Sequence, residues 1–379
     1  MKVMLIEDDN IKAKKIENHL KTRGISPQEI TRASTMTDFA AYQKNDIDLF
    51  IIDCKLPSLD KGTAYQNGQA ILESIIKSGN NNALLLAISS YPDDFPELRN
   101  KFEAHGCILA DYSNEDGWKS TLNHLLIQLN KNLKLDFLVF CALNEERKPY
   151  IVLTPGHSVL RGGVDCYDIN IGKKKGSVVL LPQMGLVNAA AVASLCIERF
   201  KPSLVCMSGI CGGFEGRANM GQLFISKMAY EYQSGKRTSD KFLHEQYQVT
   251  TDNITLMKLQ SLLQSDDILT DLEDGFRGTR PSEPHQPEIG IFTSGSAVIA
   301  NQQVMDEIQE LHRKVNALDM EVFAIKRSAE LSPYNPPCIC AKTVVDLGNA
   351  EKNDNIHSYG SYISANFIIK AVAFFYQNV

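Results

Sequence analysis

The chain has 379 residues, of which 44% are hydrophobic and 22% charged, with a formal net charge of −6. That length predicts two domains, and an acidic balance without a basic recognition helix argues against a nucleic-acid-binding output. No apolar run reaches the roughly 18–20 residues that span a bilayer. The N-terminus enters a strand-like run without a cleavable signal pattern, and nine cysteines without CxxC pairing fit reduced thiols, so a cytoplasmic protein with no membrane partner is expected.

Residues 2 to about 131 alternate short apolar runs with amphipathic stretches, the pattern of a parallel sheet flanked by helices. Strands are predicted at 2–7, 48–53, 83–88 and 107–110, with a weaker one at 29–32. Open sheets of this kind carry functional residues at the carboxyl ends of their strands. Glu7, Asp8 and Asp9 end the first run, Asp53 ends the third, and Ser89 ends the fourth. An amphipathic helix leads to a domain boundary near 131–135.

A second alternating pattern starts at Leu135. Strands are predicted at 136–142, 150–153, 177–181, 203–207, 222–228, 288–293 and 338–345, and helices at 187–199, 253–264, 302–312, 319–330 and 359–376. The polar region 233–287 reads as a long loop holding one helix, a length more often found in binding loops than in plain connections. No internal repeat or low-complexity tract is present.

An aspartate can accept a phosphoryl group if neighbouring carboxylates hold a divalent cation against the incoming charge. Asp8, Asp9 and Asp53 offer that chemistry, and the Ser89 hydroxyl could bond the new phosphoryl oxygens. The acidic pair after the first strand, Asp53-Cys54-Lys55-Leu56-Pro57 and Ser89 together resemble the receiver domain of two-component response regulators, over residues 1–131. The resemblance implies phosphorylation at Asp53, Mg2+ at Asp8, Asp9 and Asp53, Ser89 as the switch residue, and a sensor histidine kinase or phosphotransfer protein as partner. Receivers normally carry a lysine just after the fifth strand; here residues 106–118 contain none.

In the second region Glu146 follows FLVFCALNEE, Glu321 lies in Leu318-Asp319-Met320-Glu321, and Asp346 ends Thr343-Val344-Val345-Asp346. Two glycine-containing loops, PQMGLVNAA (182–190) and SGICGGF (208–214), would let backbone approach a ligand closely. ALNEE, MGLVNAAA, SGICGG, DMEVFAI and VVDLGNA, in that order, resemble the purine nucleoside phosphorylase superfamily over residues 135–379, and its nucleosidase branch most of all. The implied roles are water activation by Glu146, ribose contacts by Met320 and Glu321, and protonation of the purine N7 by Asp346. No cofactor is needed for glycosidic cleavage. Val345 and Ile210 stand where the nucleosidases usually have serine.

Gly209 and Phe214 are further candidates to line a purine pocket, although Phe214 and Met320 also suit plain packing. A nucleotide would need cations near the ribose 5' position. Lys236 and Arg237 are the favoured phosphate ligands, with Arg161, Arg277 and Arg280 as further candidates, while Lys173, Lys174 and Lys175 read as a solvated hairpin. His285 and His357 fall in polar stretches and receive no role.

The expected fold is therefore α/β: an N-terminal doubly wound, flavodoxin-like receiver and a C-terminal phosphorylase/nucleosidase-like domain with a central mixed sheet. A receiver joined to such a domain resembles the ATP nucleosidase effectors of Detocs antiphage defence. The resemblance implies cleavage of ATP, or its deoxy form, to adenine and ribose-5'-triphosphate in a phosphorylation-gated homo-oligomer. The alternatives are an adenosine or methylthioadenosine nucleosidase or phosphorylase, and a nucleotide-binding pseudoenzyme that signals through its receiver.

Overall fold

A computed structural model describes the chain apart from residues 44–46, 60–61, 81, 92–94, 133, 162, 246, 266, 349–355 and 378–379. The end of the VVDLGNA motif, Asn349 and Ala350, thus lies outside the described residues. The chain divides into two units, Met1–Leu133 and Lys134–Val379.

In the first unit, short β-branched and leucine-rich runs form β1 (Val3–Ile6), β2 (Ile30–Ala33), β3 (Leu49–Ile52), β6 (Leu84–Ser89) and β7 (Ile108–Asp111). They pair in parallel in the order β2-β1-β3-β6-β7, the order of flavodoxin-like doubly wound sheets. β1 and β3 are buried throughout, so their near-continuous apolar sequence follows from having a helical layer on each face. Those layers are α1 (Asn10–Thr22), α2 (Met36–Tyr42), α3 (Gly68–Lys77), α4 (Phe95–Glu103) and α5 (Glu115–Asn132). Two apolar clusters result, one around Met4, Phe50, Ile71 and Phe102 and the other around Leu5, Ile16, Trp118 and Leu122. A small hairpin, β4 (Lys55–Pro57) with β5 (Ala64–Gln66), follows β3.

The second unit is built on a ten-stranded mixed sheet. Its centre is β8 (Phe137–Cys141), β12 (Leu204–Gly213) and β19 (Cys338–Asp346), parallel to one another. On one side lie β11 (Lys174–Leu180), β10 (Val164–Ile171) and β9 (Gly156–Arg161). On the other are β13 (Leu223–Glu231), β16 (Gln248–Thr250), β17 (Glu288–Ser294) and β18 (Ala317–Asp319). The helices are α6 (Asn144–Leu153), α7 (Leu186–Phe200), α8 (Asn253–Leu263), α9 (Ile268–Glu273), α10 (Gln302–Glu310), α11 (Val322–Leu331) and α12 (His357–Gln377). Among the described residues no helix is long and apolar enough to cross a membrane.

Three expectations are corrected. Residues 150–153 are the last turn of α6 rather than a strand: Tyr150 is buried while Ile151 and Val152 face solvent, a helical rather than an alternating partition. The hairpin of β9 and β10 was not foreseen, because its alternation is carried by mixed residues such as His157, Ser158 and Asp168. The region 233–287 holds the hairpin of β14 (Gly235–Arg237) and β15 (Phe242–His244), then β16 and two helices rather than one.

Candidate functional site

The carboxyl ends of β8, β12, β17, β18 and β19 meet at one cavity of about 210 Å3, where an open α/β sheet presents its ligands. Glu146, Asp319, Met320, Glu321, Lys342 and Asp346 all line it. The register between β12 and β19 shifts at Cys211/Gly212 so that Gly212 pairs with Asp346, the kind of local irregularity that re-aims a side chain. A Cβ on Gly212 would lie 3.2 Å from Asp346 Oδ1, so the glycine leaves the carboxylate open to the cavity.

Glu146 sits in the first turn of α6 and is 1% exposed. Its Oε2 accepts the Ala142 and Leu143 backbone N–H groups at 2.7 and 3.0 Å, and its Oε1 accepts that of Ile210 at 2.9 Å. Burial pushes its pKa up to about 6, against the lowering pull of Lys342 and with a further push from Glu321. Gly209 supports this placement without lining the cavity. A Cβ there would stand 2.1 Å from Glu146 Oε1, so Gly209 makes room for the carboxylate rather than lining the cavity.

Glu321 is 2% exposed. Its Oε1 accepts the Gly185 N–H at 2.9 Å and its Oε2 meets Lys342 Nζ at 2.7 Å. Gly185 has φ +111°, a backbone that L side chains rarely adopt, and this conformation presents its N–H to Glu321 at the start of α7. Lys342 also reaches Asp319 Oδ2 at 2.9 Å. Asp319 in turn accepts the Glu321 and Val322 N–H groups at 3.1 and 2.9 Å and the Ser294 hydroxyl at 2.5 Å. Burial alone would lower the Lys342 pKa, but Asp319, Glu321 and Glu146 together carry it well above the ordinary value.

Lys342 and Asp319 were given no role in the sequence. The signal was available for Lys342: a lysine inside the buried run CICAKTVVD needs a partner carboxylate. His357 also lines the cavity at the start of α12, with Nδ1 3.9 Å from Glu145 Oε2.

Other expected ligands lie elsewhere. Phe214 is fully buried in a cluster with Tyr230, Ile291 and Met305 and does not line the cavity. Lys236 and Arg237 lie exposed on β14, outside the cavity lining, because the local hairpin turns them to solvent. Arg161 is ion-paired to Asp168 within the β9–β10 hairpin. Arg280 pairs with Glu273 at 3.6 Å, and Lys174, the first residue of β11, pairs with Asp136 at 3.3 Å.

In the first unit, Glu7, Asp8 and Asp53 bring carboxylate oxygens within 4.8 Å of one another at the ends of β1 and β3, a donor set suited to a hard divalent cation. Asp9 departs from the expected trio. Its Oδ1 accepts the Ile11 and Lys12 N–H groups at 2.7 and 3.2 Å and caps α1. Glu7, which was not assigned, takes its place. Lys12 Nζ lies 2.8 Å from Glu7 Oε2 and 3.0 Å from Asp53 Oδ2, with its side chain 3% exposed. Ser89 is buried at the end of β6, and its Oγ accepts the Tyr91 N–H at 3.1 Å.

A family model described as Phosphorylase superfamily matches residues 136–367, more than half of the chain. An uncharacterized protein of Sinorhizobium fredii, y4jS, is 28% identical over 98% of both chains. ATP nucleosidase Cap17 of Escherichia coli is 23% identical over 51% of this chain, and the match spans only 40% of that protein's length. A solved 5'-methylthioadenosine/S-adenosylhomocysteine nucleosidase of Neisseria meningitidis, in complex with methylthio-immucillin-A, superposes with TM-score 0.51. It is 17% identical over 62% of this chain and 98% of its own. A futalosine hydrolase mutant of Helicobacter pylori gives 0.52 at 15% identity, over 62% of this chain and 97% of its own. The chain belongs to the phosphorylase superfamily.

Proposed function

We propose, with that membership as the premise, that the protein is an N-glycosidase that hydrolyses ATP to adenine and ribose-5'-triphosphate, gated by phosphorylation of a receiver formed by its first unit. The observation that carries the glycosidase reading is the convergence of Glu146, Glu321 and Asp346 on one cavity around Lys342. Breaking an N-glycosidic bond builds positive charge on the sugar and negative charge on the base, so stabilisation must serve both ends. A cluster of carboxylates that outnumbers its single lysine favours the cationic sugar.

Glu146 Oε1 keeps a lone pair beyond the Ile210 N–H and takes a proton from water as the water oxygen bonds to C1'. The C1'–N9 bond breaks, its electron pair passes to the base, and Asp346 donates a proton to N7. Glu321, fixed by Gly185 and Lys342, holds the ribose hydroxyls. The proton on Glu146 then returns to solvent and Asp346 is reprotonated, so one water is consumed per base released.

ATP as substrate is supported by the likeness to Cap17 and by His357, which with Lys342 supplies the lining side chains able to carry positive charge among the described residues. A competing reading, an uncharged nucleoside such as methylthioadenosine, is favoured by the apolar wall of Leu143, Met184, Ile210, Val298 and Ile299 and by the exposed position of Lys236 and Arg237. The gating reading rests on Glu7, Asp8 and Asp53, which suit Mg2+; that cation would neutralise the incoming phosphoryl charge. A sensor kinase or phosphotransfer protein would supply the phosphoryl group.

The test is adenine release from ATP, AMP, adenosine and methylthioadenosine, with Mg2+ and with or without acetyl phosphate. Adenine from ATP that rises with acetyl phosphate and no longer does so in Asp53→Ala supports the proposal. Adenine from methylthioadenosine alone supports the competing reading, and nucleotide binding without any base release supports a pseudoenzyme.

A further inference from the structure

Lys12 is a first-turn residue of α1, yet its ammonium is buried between two carboxylates at the ends of different strands. Its neighbours Ile11 and Lys15 face outward, Ile11 at 79% exposure. Lys119, the first lysine after β7, is occupied elsewhere: it shares Glu115 with Lys15 at the surface. Lys12 is therefore the cation that holds this pocket, within reach of both Glu7 and Asp53.

We propose that Lys12 is the phosphoryl-binding lysine of the N-terminal pocket, supplied by α1 rather than by the segment after β7. This rests on the reading of Asp53 as a phosphoacceptor. In the transfer, an Asp53 carboxylate oxygen bonds to phosphorus while the donor's P–O bond breaks, its electron pair leaving with acetate when acetyl phosphate is the donor. No proton is gained or lost. The Lys12 ammonium, already 3.0 Å from Asp53 Oδ2, keeps its protons and donates to the new phosphoryl oxygens, a charge-assisted contact.

A readout is built into the same place. Lys12 Nζ lies 5.4 Å from the Tyr112 ring centroid, and Tyr112 stacks on Trp118 at 6.3 Å. Trp118 is the chain's one tryptophan and is fully buried. Movement of Lys12 toward a phosphoryl group would change the environment of Tyr112, and Trp118 fluorescence reports it.

The experiment labels the full chain with acetyl phosphate and Mg2+, follows phosphoprotein by phosphate-affinity electrophoresis and Trp118 by fluorescence, and compares Lys12→Met and Lys12→Arg after confirming cooperative thermal unfolding. In Lys12→Met, labelling is expected to slow about tenfold, the worth of one charge-assisted hydrogen bond, and the fluorescence response to vanish. Lys12→Arg should recover part of both, which keeps the test decisive if the methionine variant does not fold. Wild-type labelling with unimpaired Lys12 variants would overturn the proposal and leave the phosphoacceptor reading standing. Wild-type protein that takes up no more label than Asp53→Ala would overturn both.

Discussion

Each unit holds an acidic pocket at the carboxyl ends of parallel strands, and each pocket contains a buried lysine between two carboxylates, Lys12 in the first and Lys342 in the second. They differ in what fixes the carboxylates. In the second unit Glu146 accepts three backbone N–H groups, Asp319 two and Glu321 one. In the first, Glu7 accepts one at 3.0 Å and Asp53 one at 3.5 Å. Backbone donors cannot be re-aimed without moving the chain. The second pocket is thus a preorganised field, as catalysis requires, while the first is held mainly by one flexible ammonium and can accept a new occupant.

The largest effects are expected at the second pocket. Asp346→Asn and Glu321→Ala should each lower adenine release by on the order of 10²–10⁴-fold, with circular dichroism unchanged. A variant that keeps both its fold and its activity would remove that residue from the mechanism. Gly209→Ala comes next. Its Cβ would lie 2.1 Å from Glu146 Oε1, so the carboxylate must shift, and a displacement of that order costs about 10²-fold in kcat. Normal kcat in this variant would mean that Glu146 is not held in place by the glycine.

The pH profile sharpens the contrast. Burial holds Glu146 at about 6, and it serves as a base only when ionised, so on the acid limb kcat should fall about tenfold per pH unit below that value. Lys342 lowers this pKa, so Lys342→Met should move the acid limb to higher pH as well as reducing the maximum. An unmoved limb would assign the titration to another group.

How much of this was legible depends on where each side chain sat in its pattern. Glu146, Glu321 and Asp346 end or follow apolar strands, where an acidic residue stands out, and the structure places all three on one cavity. Lys12 lies beside Lys14 and Lys15 on an amphipathic helix and reads as part of a solvated face until the end of β3 is brought against it. Phe214 adjoins a glycine loop, which suggested a pocket wall, but β12 carries it past the cavity into the cluster with Tyr230. Asp9 was read as a ligand because an acidic residue before a helix can be a ligand or a cap, and the hydrogen bonds from Ile11 and Lys12 that make it a cap are not legible in the sequence.

The smallest expected effect tests the substrate's 5' end. Lys236 and Arg237 lie on a three-residue exposed strand, Arg237 resting 5.9 Å from the Phe242 ring, and neither borders the cavity. The double variant Lys236→Ser, Arg237→Ser should therefore leave the KM for ATP within about twofold, the range of ordinary surface changes. His357→Ala, which alters the cavity lining itself, should raise the KM for ATP about tenfold, as loss of a hydrogen bond to phosphate would, and leave that for adenosine unchanged. Equal effects of His357→Ala on both substrates would place the imidazole away from the phosphates. A large effect of the double variant would bring the β14 hairpin back as the phosphate-binding element, and would require it to meet a cavity that it does not line within one chain.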